Sequence, residues 1–127
     1  MEPLRTEGLD HVAITVSDMR RSHDFYAGVL GLERRHEEWH EPMFMLAGDT
    51  GLALFSADSH PPGEGPAASE IRVMHVAFRV GREQFDRARA ELPGAGIEPR
   101  FSDHGNVHSL YFPDPDGHVV ELATYEV

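Results

Sequence analysis

Cysteine is absent from the 127 residues, and so is lysine: all eleven basic residues are arginine. Without cysteine there are no disulfides, no thiolate zinc sites and no cysteine nucleophile. Without lysine there is no Schiff-base catalysis and no phosphate-cradling P-loop lysine. No apolar run approaches the roughly 20 residues of a membrane span, so no membrane partner is expected. The stretch from Met1 to Gly8 is polar and acidic and does not read as a secretory signal, which makes the cytoplasm the expected location. Acidic residues outnumber basic ones by 22 to eleven, for a formal net charge of −11. That argues against a nucleic-acid partner, because neutralising phosphates needs a basic face. Histidine, by contrast, is plentiful at nine residues. Any metal site here must be built from nitrogen and oxygen ligands.

The chain contains an internal repeat. His11-Val12-Ala13-Ile14-Thr15-Val16 recurs 64 residues later as His75-Val76-Ala77-Phe78-Arg79-Val80. Each copy alternates as a half-buried strand does, with His11, Ala13 and Thr15 opposite Val12, Ile14 and Val16, and with His75, Ala77 and Arg79 opposite Val76, Phe78 and Val80. A helix is predicted after each. Ser17 would cap the first, Ser22, Phe25, Tyr26 and Val29 would share its face, and Gly31 would stop it. Phe85, Ala88 and Leu92 would share a face of the second, ended by Pro93-Gly94. Two apolar stretches then close each half, residues 43–46 and 52–55 in one, 109–112 and 119–123 in the other, each pair flanking a turn. Weaker strand patterns lie in 33–42 and 98–107. Each half therefore reads β-α-β-β-β. About residues 8–56 form the first module, 57–69 a Pro-Gly linker, and 70–126 the second.

His11 and His75 stand at equivalent positions of the two modules. In the last strand Val119, Glu121 and Ala123 alternate against Val120 and Leu122, which puts Glu121 among apolar neighbours. An ionised carboxylate there is costly unless it is paired or bound to metal. If the modules curve around a shared concavity, two imidazoles and one carboxylate meet in it, a set that suits ferrous iron and also zinc, nickel, cobalt or manganese. Taken singly, a histidine that starts a strand is more often a rim residue, and a glutamate in an edge strand more often faces solvent. Their joint occurrence at positions set by the repeat favours one divalent ion per chain.

Leu9-Asp10-His11-Val12-Ala13-Ile14 and Phe25-Tyr26 through Leu30-Gly31-Leu32 carry a resemblance in the first half. Met74-His75-Val76-Ala77-Phe78, Ser109-Leu110-Tyr111-Phe112 and Asp114 through Leu122 carry it in the second. Over nearly its whole length the chain resembles the vicinal oxygen chelate superfamily, which includes glyoxalase I, bleomycin-binding proteins, extradiol dioxygenases and fosfomycin-resistance thiol transferases. The resemblance implies an α+β fold, two tandem βαβββ modules forming a curved, mostly antiparallel sheet around a metal-binding cleft. It also implies a small substrate chelated through two adjacent oxygens, a homodimer, and His11, His75 and Glu121 as metal ligands. Unpaired sheet edges and an apolar face on each half agree with a dimer.

Aligning Gly51 with Gly117 puts Phe55 opposite Glu121, where the glyoxalase pattern expects a fourth ligand. A three-ligand site with open positions, iron(II) favoured, is the expectation. Asp103-His104-Gly105 and Tyr111 resemble the segment of extradiol dioxygenases around the metal, which makes Tyr111 a substrate-oxygen binder and His104 a proton carrier. The acid–base histidine those enzymes place ahead of the second metal histidine has only His60, in the linker, as a loose match. Arg79 is the candidate for pairing with an anionic substrate group. The transferase pattern differs at Ala13, where it has threonine, and beyond Glu121, where no basic residue follows. Extradiol-type chemistry is thus the first expectation, with glyoxalase-like isomerisation, thiol transfer, or metal-free antibiotic sequestration as alternatives. His23, His36, His40, His108 and His118 read as solvated.

Overall fold

The computed structural model describes residues 1–60 and 72–127. The chain divides into two compact units, Met1–Pro62 and Gly63–Val127, each with one copy of the repeat. The expected linker falls largely on 61–71, outside the described residues.

The first unit runs β1 (His11–Val16), α1 (Met19–Gly28), β2 (Glu33–Arg35), β3 (Met43–Ala47) and β4 (Thr50–Ser56). Its sheet is ordered β1-β4-β3-β2, with β1 parallel to β4 and the other pairings antiparallel. Period-two alternation sorts the side chains as expected. Val12, Ile14 and Val16 share a face with Met45, Leu52 and Leu54, and α1 packs on β3 and β4 with Ser22 and Tyr26 buried. His11, Ala13 and Thr15 take the opposite face, and all three are exposed.

Two details of α1 differ from expectation. Asp18, not Ser17, is the N-cap: its carboxylate accepts the Arg21 amide at 3.0 Å, while Ser17 Oγ accepts from the Arg21 guanidinium at 2.8 Å. Asp18 is the residue with extended backbone dihedrals, so its oxygen is the one positioned over the orphan amides. Val29 is the C-cap and is 37 % exposed rather than buried. The helix has already ended at Gly28, and Gly31 at φ +70° turns the chain back so that the Leu32 amide reaches Tyr26 O.

The second unit runs β5 (Val76–Arg79), α2 (Arg82–Glu91), a 3₁₀ turn (Leu92–Ala95), β6 (Arg100–Asp103), β7 (His108–Pro113) and β8 (Val119–Thr124). The order β5-β8-β7-β6 repeats that of the first unit, again with one parallel pairing, β5 to β8, and two antiparallel ones. Pro93-Gly94 does not stop the chain's coiling. Pro93 sits in the first turn of the 3₁₀ segment, where a missing amide costs nothing, and Gly96 at φ +80° ends it. Phe85, Leu110, Phe112, Val120 and Leu122 make the core. The molecule is therefore α+β, two tandem βαβββ units each with an open, mostly antiparallel sheet.

Gly51 is fixed by packing rather than by backbone dihedrals. A Cβ there would overlap the Phe44 ring, which is itself packed edge-on against His11 and Trp39. Gly51→Ala is expected to lower stability by about 1–3 kcal/mol, the range of overpacking in a fitted interior. Thermal denaturation of the two proteins measures this, and an unchanged midpoint would show that the ring moves freely.

Candidate functional site

β8 is an interior strand, not an edge, so Glu121 lies between β5 and β7 with Ala77 and Tyr111 as its cross-strand partners. Neighbours across a sheet project to the same side. Glu121 is 8 % exposed, which for a carboxylate demands partners. Both oxygens have one. Ser109 Oγ donates to Oε2 at 2.9 Å, and His75 Nε2 lies 3.0 Å from Oε1. The His75 ring meets the Tyr111 ring edge to face at 5.6 Å. Tyr111 OH in turn lies 3.2 Å from His104 Nε2, and the Arg100 guanidinium lies over the Tyr111 ring at 4.6 Å.

His104 is positioned by the β6–β7 turn. Its amide donates to Val107 O at 2.9 Å, and the Gly105 amide donates to the Asp103 carboxylate at 2.8 Å, with Gly105 at φ +87°. Four residues singled out from sequence in this unit, His75, Glu121, Tyr111 and His104, are thus joined on one face. Arg79 pairs with Ala123 across the sheet, has the same parity as Glu121, and is exposed. Ser109 and Arg100 were missed. Ser109 is two residues before Tyr111, so parity alone would have found it; Arg100 faces Tyr111 only through the β6–β7 register.

In the first unit His11 Nδ1 lies 2.7 Å from Asp10 Oδ2. A carboxylate on one ring nitrogen fixes the tautomer and turns the other nitrogen outward, the way metal-binding histidines are oriented. Within neither unit do three His, Asp or Glu side chains gather at one point among the described residues. The second unit holds a His–Glu pair and the first a His–Asp pair. Asp10→Asn is expected to weaken divalent-metal affinity by roughly tenfold, the lower end for a group that orients a ligand. Isothermal titration calorimetry would show it, and unchanged affinity would remove Asp10 from the site.

The alignment of Phe55 with Glu121 does not hold. His11 pairs with Gly51 and Ala13 with Ala53, as Ala77 pairs with Glu121; Phe44 pairs with Ala53 as Tyr111 pairs with Glu121. Ala53 is therefore the counterpart of Glu121, and Phe55 that of Ala123. The cause is turn length: Gly48 and Asp49 join β3 to β4, whereas 114–118 join β7 to β8, so matching glycine to glycine slips the register by two. The position still carries no ligand atom. Phe55 instead packs against the His60 ring at 4.8 Å.

Two of the histidines read as solvated, His108 and His23, are not, while His36 is exposed as expected with one ring face covered. His108 is wedged between Phe85 and Phe101 and meets Arg82 through Nδ1 at 3.0 Å. The His23 side chain is only 17 % exposed, and its Nδ1 lies 3.0 Å from Asp24. His36 stacks on Trp39 at 4.0 Å.

Residues 8–122 match the family model of the Glyoxalase/Bleomycin resistance protein/Dioxygenase superfamily. The chain is 33 % identical over 116 residues to Glutathione transferase FosA of Serratia marcescens, covering 91 % of this chain and 79 % of that protein. It is 28 % identical over 127 residues to fosfomycin resistance protein FosX of Mesorhizobium japonicum, covering 93 % and 86 %. Its fold matches that of a glyoxalase/dioxygenase from Nostoc punctiforme with a TM-score of 0.78 at 24 % identity, covering 98 % of this chain and 97 % of the other. None of the helices among the described residues is long and apolar enough to cross a membrane.

Proposed function

We propose that this chain, which belongs to the Glyoxalase/Bleomycin resistance protein/Dioxygenase superfamily, is a divalent-metal enzyme whose small substrate is held through two adjacent oxygens. The observation that supports it most is the facing pair His75 Nε2 and Glu121 Oε1, 3.0 Å apart, next to the Tyr111–His104 hydrogen bond. The donor set fits a divalent ion. A buried carboxylate needs a counter-charge, its other oxygen is already fixed by Ser109, and the facing nitrogen and oxygen are the two atoms an ion takes. His11, turned by Asp10, is the third ligand assigned. Iron(II) is favoured; zinc, nickel, cobalt and manganese also suit two imidazoles and a carboxylate.

When bound, the ion supplies Lewis-acid activation and a template for the chelating oxygens. The chain's own groups do the rest. Tyr111 OH hydrogen-bonds one substrate oxygen, and His104 Nε2 takes the proton that leaves it. Arg100, over the Tyr111 ring, holds it in place, and Arg79 receives an anionic substrate group.

Extradiol-type ring cleavage by dioxygen, at the ring bond beside an aromatic vicinal diol, is the reaction we assign. Thiol transfer is the second reading, favoured by the identity to a glutathione transferase and opposed by Ala13, where the transferase pattern has threonine. Chain purified without oxygen and loaded with iron(II) is expected to consume dioxygen with a member of a catechol panel in an oxygen electrode. Parallel arms use glutathione with fosfomycin and manganese, and a hemithioacetal with zinc, nickel or cobalt. Turnover confined to one of those arms moves the chain to that branch. Silence in all of them with metal bound overturns the enzyme reading.

A further inference from the structure

The duplication has made two unlike faces. In the second unit Tyr111 and Glu121 are polar; by strand register the first unit has Phe44 and Ala53 in their places. There the sheet face, the loop before β3 and the β3–β4 turn line an open pocket of about 360 Å³, within the usual size range of ligand pockets. His36 and Trp39 are stacked at 4.0 Å and nearly coplanar at 13°. Phe44 stands across both, at 79° to Trp39 and 66° to His36, and His11 closes on Phe44 at 5.8 Å. Flat walls at right angles are what stacked and edge-on ring contacts require.

His36 has φ +53°, a left-handed backbone that residues with a Cβ rarely adopt, and such strain persists where the surroundings impose it. Here it places an imidazole flat on Trp39, which remains 42 % exposed. Among the described residues, the charged side chains lining the cavity are Asp10 and Asp49, with no arginine. Two carboxylates repel an anion and leave an uncharged ring unopposed.

We infer that the first unit carries an aromatic-walled subsite beside His11 that takes a flat, uncharged aromatic ring. As the ring-bearing part of a substrate this rests on the function proposed above; as a binding site it stands apart from it. Trp39 is the single tryptophan, so the full chain labelled with nitrogen-15 gives one indole N–H resonance that reports from the cavity wall.

With metal removed by chelator, naphthalene-2,3-diol is expected to shift that resonance saturably, and naphthalene-2-sulfonate to bind more weakly. Phe44→Ala should raise the diol's Kd by roughly fivefold or more. Trp39→Leu, a change at a half-exposed residue, should do the same when read by calorimetry. An indole unmoved by excess diol overturns the subsite, as does equal binding of the sulfonate. A shift that follows protein concentration with no ring present also overturns it, by showing that a second copy of the chain covers this face. Diol binding that survives a failure of metal binding separates the two readings in one direction. Catechol turnover with an unmoved indole separates them in the other.

Discussion

Glu121→Gln is expected to lower the affinity for a divalent ion by at least about a hundredfold, the share of one ligand in the three-ligand site proposed. Its thermal midpoint without metal should stay at or above that of the parent. The two halves of this expectation come from the same burial. In the metal-free chain the carboxylate has given up its water for Ser109 Oγ and His75 Nε2, and a buried ionised group recovers its desolvation cost only with excellent partners. An amide of the same shape keeps a hydrogen bond to each neighbour and carries no charge. Glu121→Ala behaves differently, because it leaves the fully buried Ser109 hydroxyl without its acceptor, at a cost of about 1–3 kcal/mol. Elemental analysis and calorimetry on parent, Gln and Ala proteins separate ligation from packing. A Gln variant that keeps full metal occupancy removes Glu121 from the ligand set.

How much of this was legible in the sequence follows from which interactions are periodic. Alternation in His11–Val16 and Val76–Arg79 is a local property, so both first strands and their faces were readable, and the repeat doubled the signal. The turn residues 47–51 and 113–117 marked the β3–β4 and β7–β8 hairpins. Register across strands is not local. Matching Gly51 to Gly117 ignored that the first turn is shorter, and Phe55 was placed where Ala53 stands. Asp10 was visible beside His11, but nothing in the alternation says that its carboxylate bends onto Nδ1. His108 looked like one more polar residue because its partners come from two other elements, Arg82 and Phe85 from α2 and Phe101 from β6. Parity did find Tyr111 on the same face as Glu121, and it would have found Ser109 if serine had been weighed as a carboxylate partner rather than as a strand filler.

Tyr111→Phe tests the proton path apart from the metal. The change removes only the hydroxyl and keeps the ring that packs against His75 and under Arg100. Metal affinity is therefore expected to stay within about a factor of three, the context-dependent scatter of such measurements, since no ligand or ligand-orienting group is touched. Turnover on whichever catechol proves active should fall by about 10²–10⁴, the usual contribution of a positioned acid or base. The fall should appear in kcat more than in KM, because the hydrogen bond from this hydroxyl to the substrate oxygen matters most as the proton leaves and charge moves. In the proposed relay His104 acts through this hydroxyl, 3.2 Å from its Nε2, so His104→Gln combined with Tyr111→Phe should cost little more than either change alone. A double-mutant cycle reads that coupling. If the two losses instead multiply, His104 and Tyr111 act separately and the relay is wrong. If Tyr111→Phe keeps full turnover while Glu121→Gln loses it, the proton leaves by a path that does not involve this pair.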